Sequence, residues 1–208
     1  LNQASRNAQD GISMIQTAEG ALDETHSMLQ RLRTLSVQAS NGTYVSSDLN
    51  NLQEEVSQLT QEISELASKT EFNKQKLLTS SKTVKFQVGA NSGQVISVTF
   101  TSMKADALGV SGLKMSTQTQ AQDATSTIDT AINSVSAFRA KLGAVQNRLE
   151  HTIANVDNSA ENLQSAESRI RDTDMAKEMM EFTRTNVLSQ ATQSMLAQAN
   201  AKPNQVLS

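Results

Sequence analysis

Punctuation, or the lack of it, most constrains what this chain can fold into. Its 208 residues include one proline, Pro203, and eight glycines, four of them between residues 89 and 112. Elsewhere the residues that break helices are nearly missing, so long uninterrupted helices are permitted. The apolar residues use that freedom. From about Asn2 to Ser40, Met14, Ile15, Ala18, Ala21, Leu22, Met28, Leu29, Leu32, Leu35 and Ala39 recur at steps of three and four. That is the stripe of a helix lying on other helices. Asn41-Gly42 is expected to end it, with Gly42 left-handed, and Ser47 and Asp48 are candidate N-caps for the next helix. Leu49, Leu52, Val56, Leu59, Ile63 and Leu66 then form a heptad seam, with Glu54, Glu55, Gln58, Gln61, Glu62 and Glu65 off it.

Between residues 82 and 101 the period drops to two. Val84, Phe86 and Val88 alternate with polar residues, as do Ile96, Val98 and Phe100, around Gly89-Ala90-Asn91-Ser92-Gly93. This predicts a β-hairpin, and since a lone hairpin is marginal in water its apolar face should rest on helices. Residues 101–122 read as a connecting loop. Helical spacing resumes at about Asp123 through Ile128, Ala131, Val135, Phe138, Leu142, Val145, Leu149 and Val156. Asp157-Asn158-Ser159 reads as a turn, and a fourth helix is expected from about Ala160 to Asn200, stopped by Pro203. The expected fold is mainly α: an elongated antiparallel helical bundle, a coiled-coil rod, with a small β-hairpin packed on its side.

Composition agrees with thin layers rather than a thick core. Apolar residues are 37% and aromatic residues 3%, while Ser, Thr, Asn and Gln supply 81 positions. The formal charge of −3 gives no basic footprint for nucleic acid or an anionic membrane. Without cysteine there are no disulfides, thiolate nucleophiles or thiolate metal sites. His26 and His151 are too few for a His-rich metal site and read as helix-surface residues. Asp172 and Asp174 could pass for paired carboxylates, but Glu167–Arg171 and Arg169–Asp172 explain them as an ion-paired helix face. Asn41-Gly42-Thr43 matches a glycosylation acceptor that turn chemistry already explains. Met175, Met179, Met180 and Met195 read as core filler, or as a surface covered by a neighbouring copy. No catalytic, cofactor or metal site emerges.

Several segments together are specific. Gln3-Ala-Ser-Arg-Asn-Ala-Gln-Asp-Gly-Ile-Ser13, Thr17-Ala-Glu-Gly-Ala-Leu22, Leu29-Gln-Arg-Leu-Arg33, Thr70-Glu-Phe-Asn73 and Phe86-Gln-Val-Gly-Ala90 lie in the first half. Ala140-Lys-Leu-Gly-Ala-Val-Gln-Asn-Arg-Leu-Glu150, Glu167-Ser-Arg-Ile-Arg-Asp-Thr-Asp-Met-Ala-Lys-Glu-Met179 and Leu196-Ala-Gln-Ala-Asn200 follow. In these the chain resembles bacterial flagellin, especially of the Bacillus type. The resemblance implies a structural subunit of the flagellar filament, exported through the flagellar apparatus, polymerising outside the cell for motility, and not an enzyme. It implies a rod domain over residues 1–187 and part of the C-terminal inner helix over 188–208, with the start of the N-terminal inner helix and the outer variable domains missing.

The resemblance also implies partners beyond other flagellin subunits. The flagellin-sensing Toll-like receptor would grip Gln30, Arg31, Leu35, Gln38 and Glu55, although Thr34 stands where the family often has Glu. An export chaperone would wrap Val187, Leu188, Ala191, Met195, Leu196, Val206 and Leu207. Two other readings are a hook–filament junction protein, which shares flagellin-like ends, and a chemoreceptor-like signalling coiled coil, which would lack the alternating segment at 84–100.

Overall fold

The first apolar stripe produces a single helix, α1 (Asn2–Ala39), whose buried residues include Ile15, Ala18, Leu22, Leu29, Leu32 and Leu35. A computed structural model of the chain describes the backbone of residues 1–206 and the side chains of residues 1–199. The chain divides into two units, Leu1–Ala160 and Glu161–Ser208. In the first unit α1 is followed by α2 (Ser46–Lys69), a short pair β1 (Glu71–Phe72) and β2 (Gln75–Lys76), and the longer pair β3 (Lys82–Gln87) and β4 (Val95–Phe100). The helix α3 (Gln118–Arg171) begins in this unit and continues into the second, which also holds α4 (Met175–Val206).

α1 ends at Ala39, two residues before the expected Asn41-Gly42 stop, and by a different device. Ser40 stays in the right-handed region, at φ −72° and ψ −10°, and its hydroxyl donates back to the Ser36 carbonyl at 2.8 Å. Gly42 is not left-handed, because the helix has already closed without needing a positive φ. Neither Ser47 nor Asp48 caps α2; the helix starts at Ser46 after an extended Val45, with no side-chain cap.

The seam of α2 is rotated from the leucine reading. Full burial falls on Val56, Thr60, Ile63 and Ala67, while Leu49, Leu52 and Leu59 are only partly buried against the core. Small residues explain this. Thr60 satisfies its own hydroxyl on the Ser57 carbonyl at 3.0 Å, so it and Ala67 admit a close neighbour without an unpaired polar group.

β3 and β4 pair antiparallel with Val84 opposite Val98 and Phe86 opposite Ile96, the register the alternation predicts. Ile96, Val98 and Phe100 face inward, and Phe100 meets Phe138 of α3 edge-on, centroids 6.5 Å apart. β1 and β2 form a tight hairpin about Asn73 and Lys74, both at positive φ (48° and 62°). That is the primed-turn geometry whose twist matches the flanking strands.

The segment after β4 is more than a connection. Met103, Ala105, Leu108, Val110 and Met115 are buried within the core, and Gln53 of α2 holds the segment by donating to the Leu113 carbonyl and accepting from the Met115 N–H. α3 starts at Gln118, not Asp123, because the Thr117 hydroxyl accepts from the Gln120 N–H. It runs antiparallel to α1: Ser36 reaches the Ala121 carbonyl at 2.8 Å, and Arg139 reaches Asp23 at 2.7 Å.

α3 does not turn at Asp157-Asn158-Ser159. Those residues disfavour a helix by only a few tenths of a kcal/mol each, there is no proline or glycine among them, and Val156 just before them is still buried. The break falls at residues 172–174, where the Asp174 carboxylate accepts from the N–H groups of Ala176 and Lys177 and starts α4. α4 is described as far as Val206, so Pro203 does not end it; a helical φ is the one proline already has.

Candidate functional site

Nothing in the first unit resembles a reaction centre. Among the described residues no group of three or more His, Asp or Glu could hold a metal ion, and no helix is long and apolar enough to cross a membrane. His151 is exposed and His26 half-buried, its Nδ1 without a partner, on different helices. A cleft of about 690 Å³ between β4 and α3 is floored by Val98, Met103, Phe138 and Leu142 and carries one charged group, Lys141, at its rim. It lacks the converging polar groups that chemistry needs.

The surfaces are more informative. Along α1 the exposed residues Gln30, Thr34 and Val37 follow at steps of four and three, so they form one outward stripe. Arginines fix both flanks. On the α2 side both Nη2 (2.6 Å) and Nε (2.7 Å) of Arg31 bind one carboxylate oxygen of Glu55. On the α3 side Arg33 Nε lies 2.6 Å from Asp129. Past Arg31, Gln38 donates to the Tyr44 hydroxyl at 2.9 Å and ties the stripe to the α1–α2 connection.

Of the five residues the resemblance assigns to a receptor, Arg31, Glu55, Gln30 and Gln38 thus share one face. Leu35 does not join them: it is 0% exposed and belongs to the core. A period of 3.6 turns position 35 inward when 32 and 39 are inward, and both are. Sequence reasoning missed Val37, which is 54% exposed between those groups, and the Arg33–Asp129 pair. Arg33 was legible as a charged residue two places from Arg31; its partner 96 residues away was not.

The second unit has the opposite character. Every residue from Met175 to Ala199 is exposed. Met175, Met179, Met180, Phe182, Val187, Leu188, Met195 and Leu196 all present large apolar side chains to solvent, Met195 at 69%. These methionines are therefore exposed, not buried, among the described residues. Ala191 is exposed with them; α4 reaches Val206, and Leu207 lies outside the described residues.

Comparison with known proteins gives the chain a family. The model of the bacterial flagellin N-terminal helical region matches residues 1–83, and that of the C-terminal helical region matches 125–208. A flagellin of Halalkalibacterium halodurans is 57% identical, over 100% of this chain and 77% of its own length. The chain belongs to the bacterial flagellins. A Bacillus subtilis flagellin is 51% identical over 100% of the chain and 80% of its own length. The crystal structure of Bacillus cereus flagellin superposes with a TM-score of 0.66 at 32% identity, covering 78% of this chain and 94% of that one. This flagellin is a structural subunit of the flagellar filament, and its relatives are structural proteins. The whole-chain identity to flagellins sets aside both the junction-protein and the chemoreceptor readings.

Proposed function

We propose that the two surfaces divide the work of a filament subunit that has no catalytic role. The exposed apolar residues of α4, with residues 188–208 as part of the C-terminal inner helix, are the contact that other subunits cover. Before assembly the same residues, Val187, Leu188, Ala191, Met195 and Leu196 with Val206 and Leu207, engage the export chaperone, and the chain reaches the cell exterior through the flagellar export apparatus. The observation that carries this reading is the exposure of every α4 residue between Met175 and Ala199. An isolated helix gains most of its stability from a packed apolar face, and exposed apolar surface on this scale marks a protein contact. Pull-down by the chaperone with and without residues 187–208 tests the second role; equal recovery refutes it. Pelleting with filament seeds tests the first: a Met179→Ser, Phe182→Ser variant should stay in solution, and undiminished pelleting refutes the reading.

The stripe on α1, flanked by Arg31–Glu55, is the face that the flagellin-sensing Toll-like receptor recognises through Gln30, Arg31, Gln38 and Glu55, with Leu35 shaping the helix from beneath. Arginine is a favoured anchor of interfaces. Arg31→Ala should weaken receptor activation at least about tenfold, or about 1.4 kcal/mol. It should leave stability within about 0.5 kcal/mol, because the ion pair is solvent-accessible, its side chains 53% and 40% exposed. An unchanged dose–response curve refutes the assignment.

A further inference from the structure

Asn41 and Gly42 combine three conditions that no other asparagine of the chain meets. Asn41 is the one asparagine followed by glycine. Both residues are exposed, just past the end of α1 at Ala39. Neither the Asn41 carboxamide nor the Gly42 N–H appears in any hydrogen bond among the described residues, although the Asn41 N–H donates to the Gln38 carbonyl at 3.1 Å.

We propose that Asn41 is a self-modifying site that converts to aspartate and isoaspartate. The backbone nitrogen of Gly42 attacks the side-chain carbonyl carbon Cγ of Asn41. The new N–Cγ bond closes a five-membered succinimide, the Cγ–Nδ2 bond breaks, and the proton lost by the Gly42 nitrogen leaves with the departing group as ammonia. Water, the one co-reactant, then opens the ring. Opening at the Cγ carbonyl gives aspartate; opening at the backbone carbonyl routes the chain through Cβ and gives isoaspartate. No oxidation or reduction occurs.

Each observation bears on a step. Gly42 has no Cβ to shield the attacking nitrogen, and that nitrogen is not engaged as a donor. Ring closure requires the asparagine ψ to leave its helical value. A position outside the helix permits this, whereas Asn7, Asn50, Asn51, Asn133, Asn147 and Asn158 are held within helices. The other exposed turns are guarded. The Asn91 N–H donates to Gln94 Oε1 at 3.0 Å, the Asn91 carbonyl accepts from Gln94 and Gln87, and a serine follows it. Asn73 is fixed at φ 48° in its tight turn and is followed by lysine. The product adds one negative charge to a chain of formal charge −3. It does so just beyond the C-terminal end of α1, where the helix dipole disfavours an anion, and at the end of the Gln30–Thr34–Val37 stripe. The chemistry does not rest on the receptor reading.

The test is to hold the purified full chain in mildly alkaline buffer and follow it by peptide mapping and anion exchange. The peptide containing residue 41 should gain the mass of an NH2-to-OH exchange, split between aspartate and isoaspartate forms, with a matching more acidic species. It should do so at least about tenfold faster than the peptides of Asn73, Asn91 or Asn158, the ratio that about 1.4 kcal/mol of barrier gives. Gly42→Ala should slow residue 41 by a similar factor. That variant keeps the fold, since a Cβ there meets nothing within 4 Å and Gly42 is not at positive φ; circular dichroism checks this. Conversion of Asn91 or Asn73 as fast as Asn41, or a wild-type rate in Gly42→Ala, overturns the proposal.

Discussion

Leu35→Ala separates two meanings of one residue. The family resemblance puts Leu35 among receptor contacts, whereas the fold buries it completely, beside Ser36, whose hydroxyl reaches the Ala121 carbonyl of α3. Truncation returns three carbons' worth of apolar packing, at about 0.8 kcal/mol each, or ~2.4 kcal/mol. The site is walled by long helices and closes only in part. A residual void of ~40 Å³ adds ~1 kcal/mol at about 24 cal/mol per Å³. The expected loss is therefore about 3–4 kcal/mol, a large share of the ~5–15 kcal/mol that holds a domain together, yet not enough to unfold it at room temperature. Urea denaturation should show a lower midpoint at unchanged slope. Receptor dose–response on the same preparation should recover in Leu35→Met, which keeps the volume. Arg31→Ala should give the opposite pattern, with signalling lost and stability kept. A stability change below about 1 kcal/mol in Leu35→Ala, together with lost signalling that Met does not restore, would refute the reasoning, because the side chain would then be touched directly.

Gly11→Ala puts a Cβ 3.2 Å from Phe86 and 3.3 Å from Leu149. Crowding of ~1–3 kcal/mol should outweigh the ~1 kcal/mol helix preference for alanine, so thermal unfolding should fall; a rise would mean that Phe86 yields freely. Ser36→Ala should cost only about 1 kcal/mol in urea, because the Ala121 carbonyl keeps the Thr125 hydroxyl as a donor; a loss of several kcal/mol would show that Ser36 anchors α3. Lys69, donating at 2.7 Å, holds the Glu65 carboxyl below its ordinary value and is itself raised by Glu65. The Glu65 contribution is thus complete above the ordinary carboxylate value and fades as pH falls through the lowered one. The Lys69 contribution is complete below the ordinary lysine value and fades as pH rises through the raised one. The urea-midpoint difference between wild type and Glu65→Gln should be small, flat near neutrality and closed at both extremes; a slope across neutral pH would contradict the pairing.

Periodicity told most where one face is buried against one neighbour. The α1 stripe and the β3–β4 register are both direct consequences of their alternation, at 3.6 and at two. It told less where burial depends on what the neighbour is made of. In α2 the predicted seam held at Val56 and Ile63, whereas Leu49, Leu52 and Leu59 are only partly buried and Thr60 and Ala67 join the buried side instead. The core role of residues 103–115 was hidden by the absence of any regular period, though Met103, Leu108, Val110 and Met115 stood in plain view. The β1–β2 turn left only Asn73 as a signal, and Lys74 at positive φ is not a residue that advertises one. On the proposed receptor face, Arg31 and Glu55 were legible as residues off the seam, whereas the inward turn of Leu35 was implied by its own stripe and overridden by the family assignment.

The two units show why composition alone could not locate the contacts. Large apolar residues in Leu1–Ala160 find helices and strands of the same chain, down to the irregular segment after β4. In Met175–Ala199 residues of the same kinds meet only solvent, and the chain still commits them to a helix, started by the Asp174 cap. On the proposed reading, in which a carrier and then other subunits cover α4, the looser order of Leu188, Met195 and their neighbours suits a change of partner better than one fixed groove. Thioethers and alanines tolerate such changes of partner at little cost.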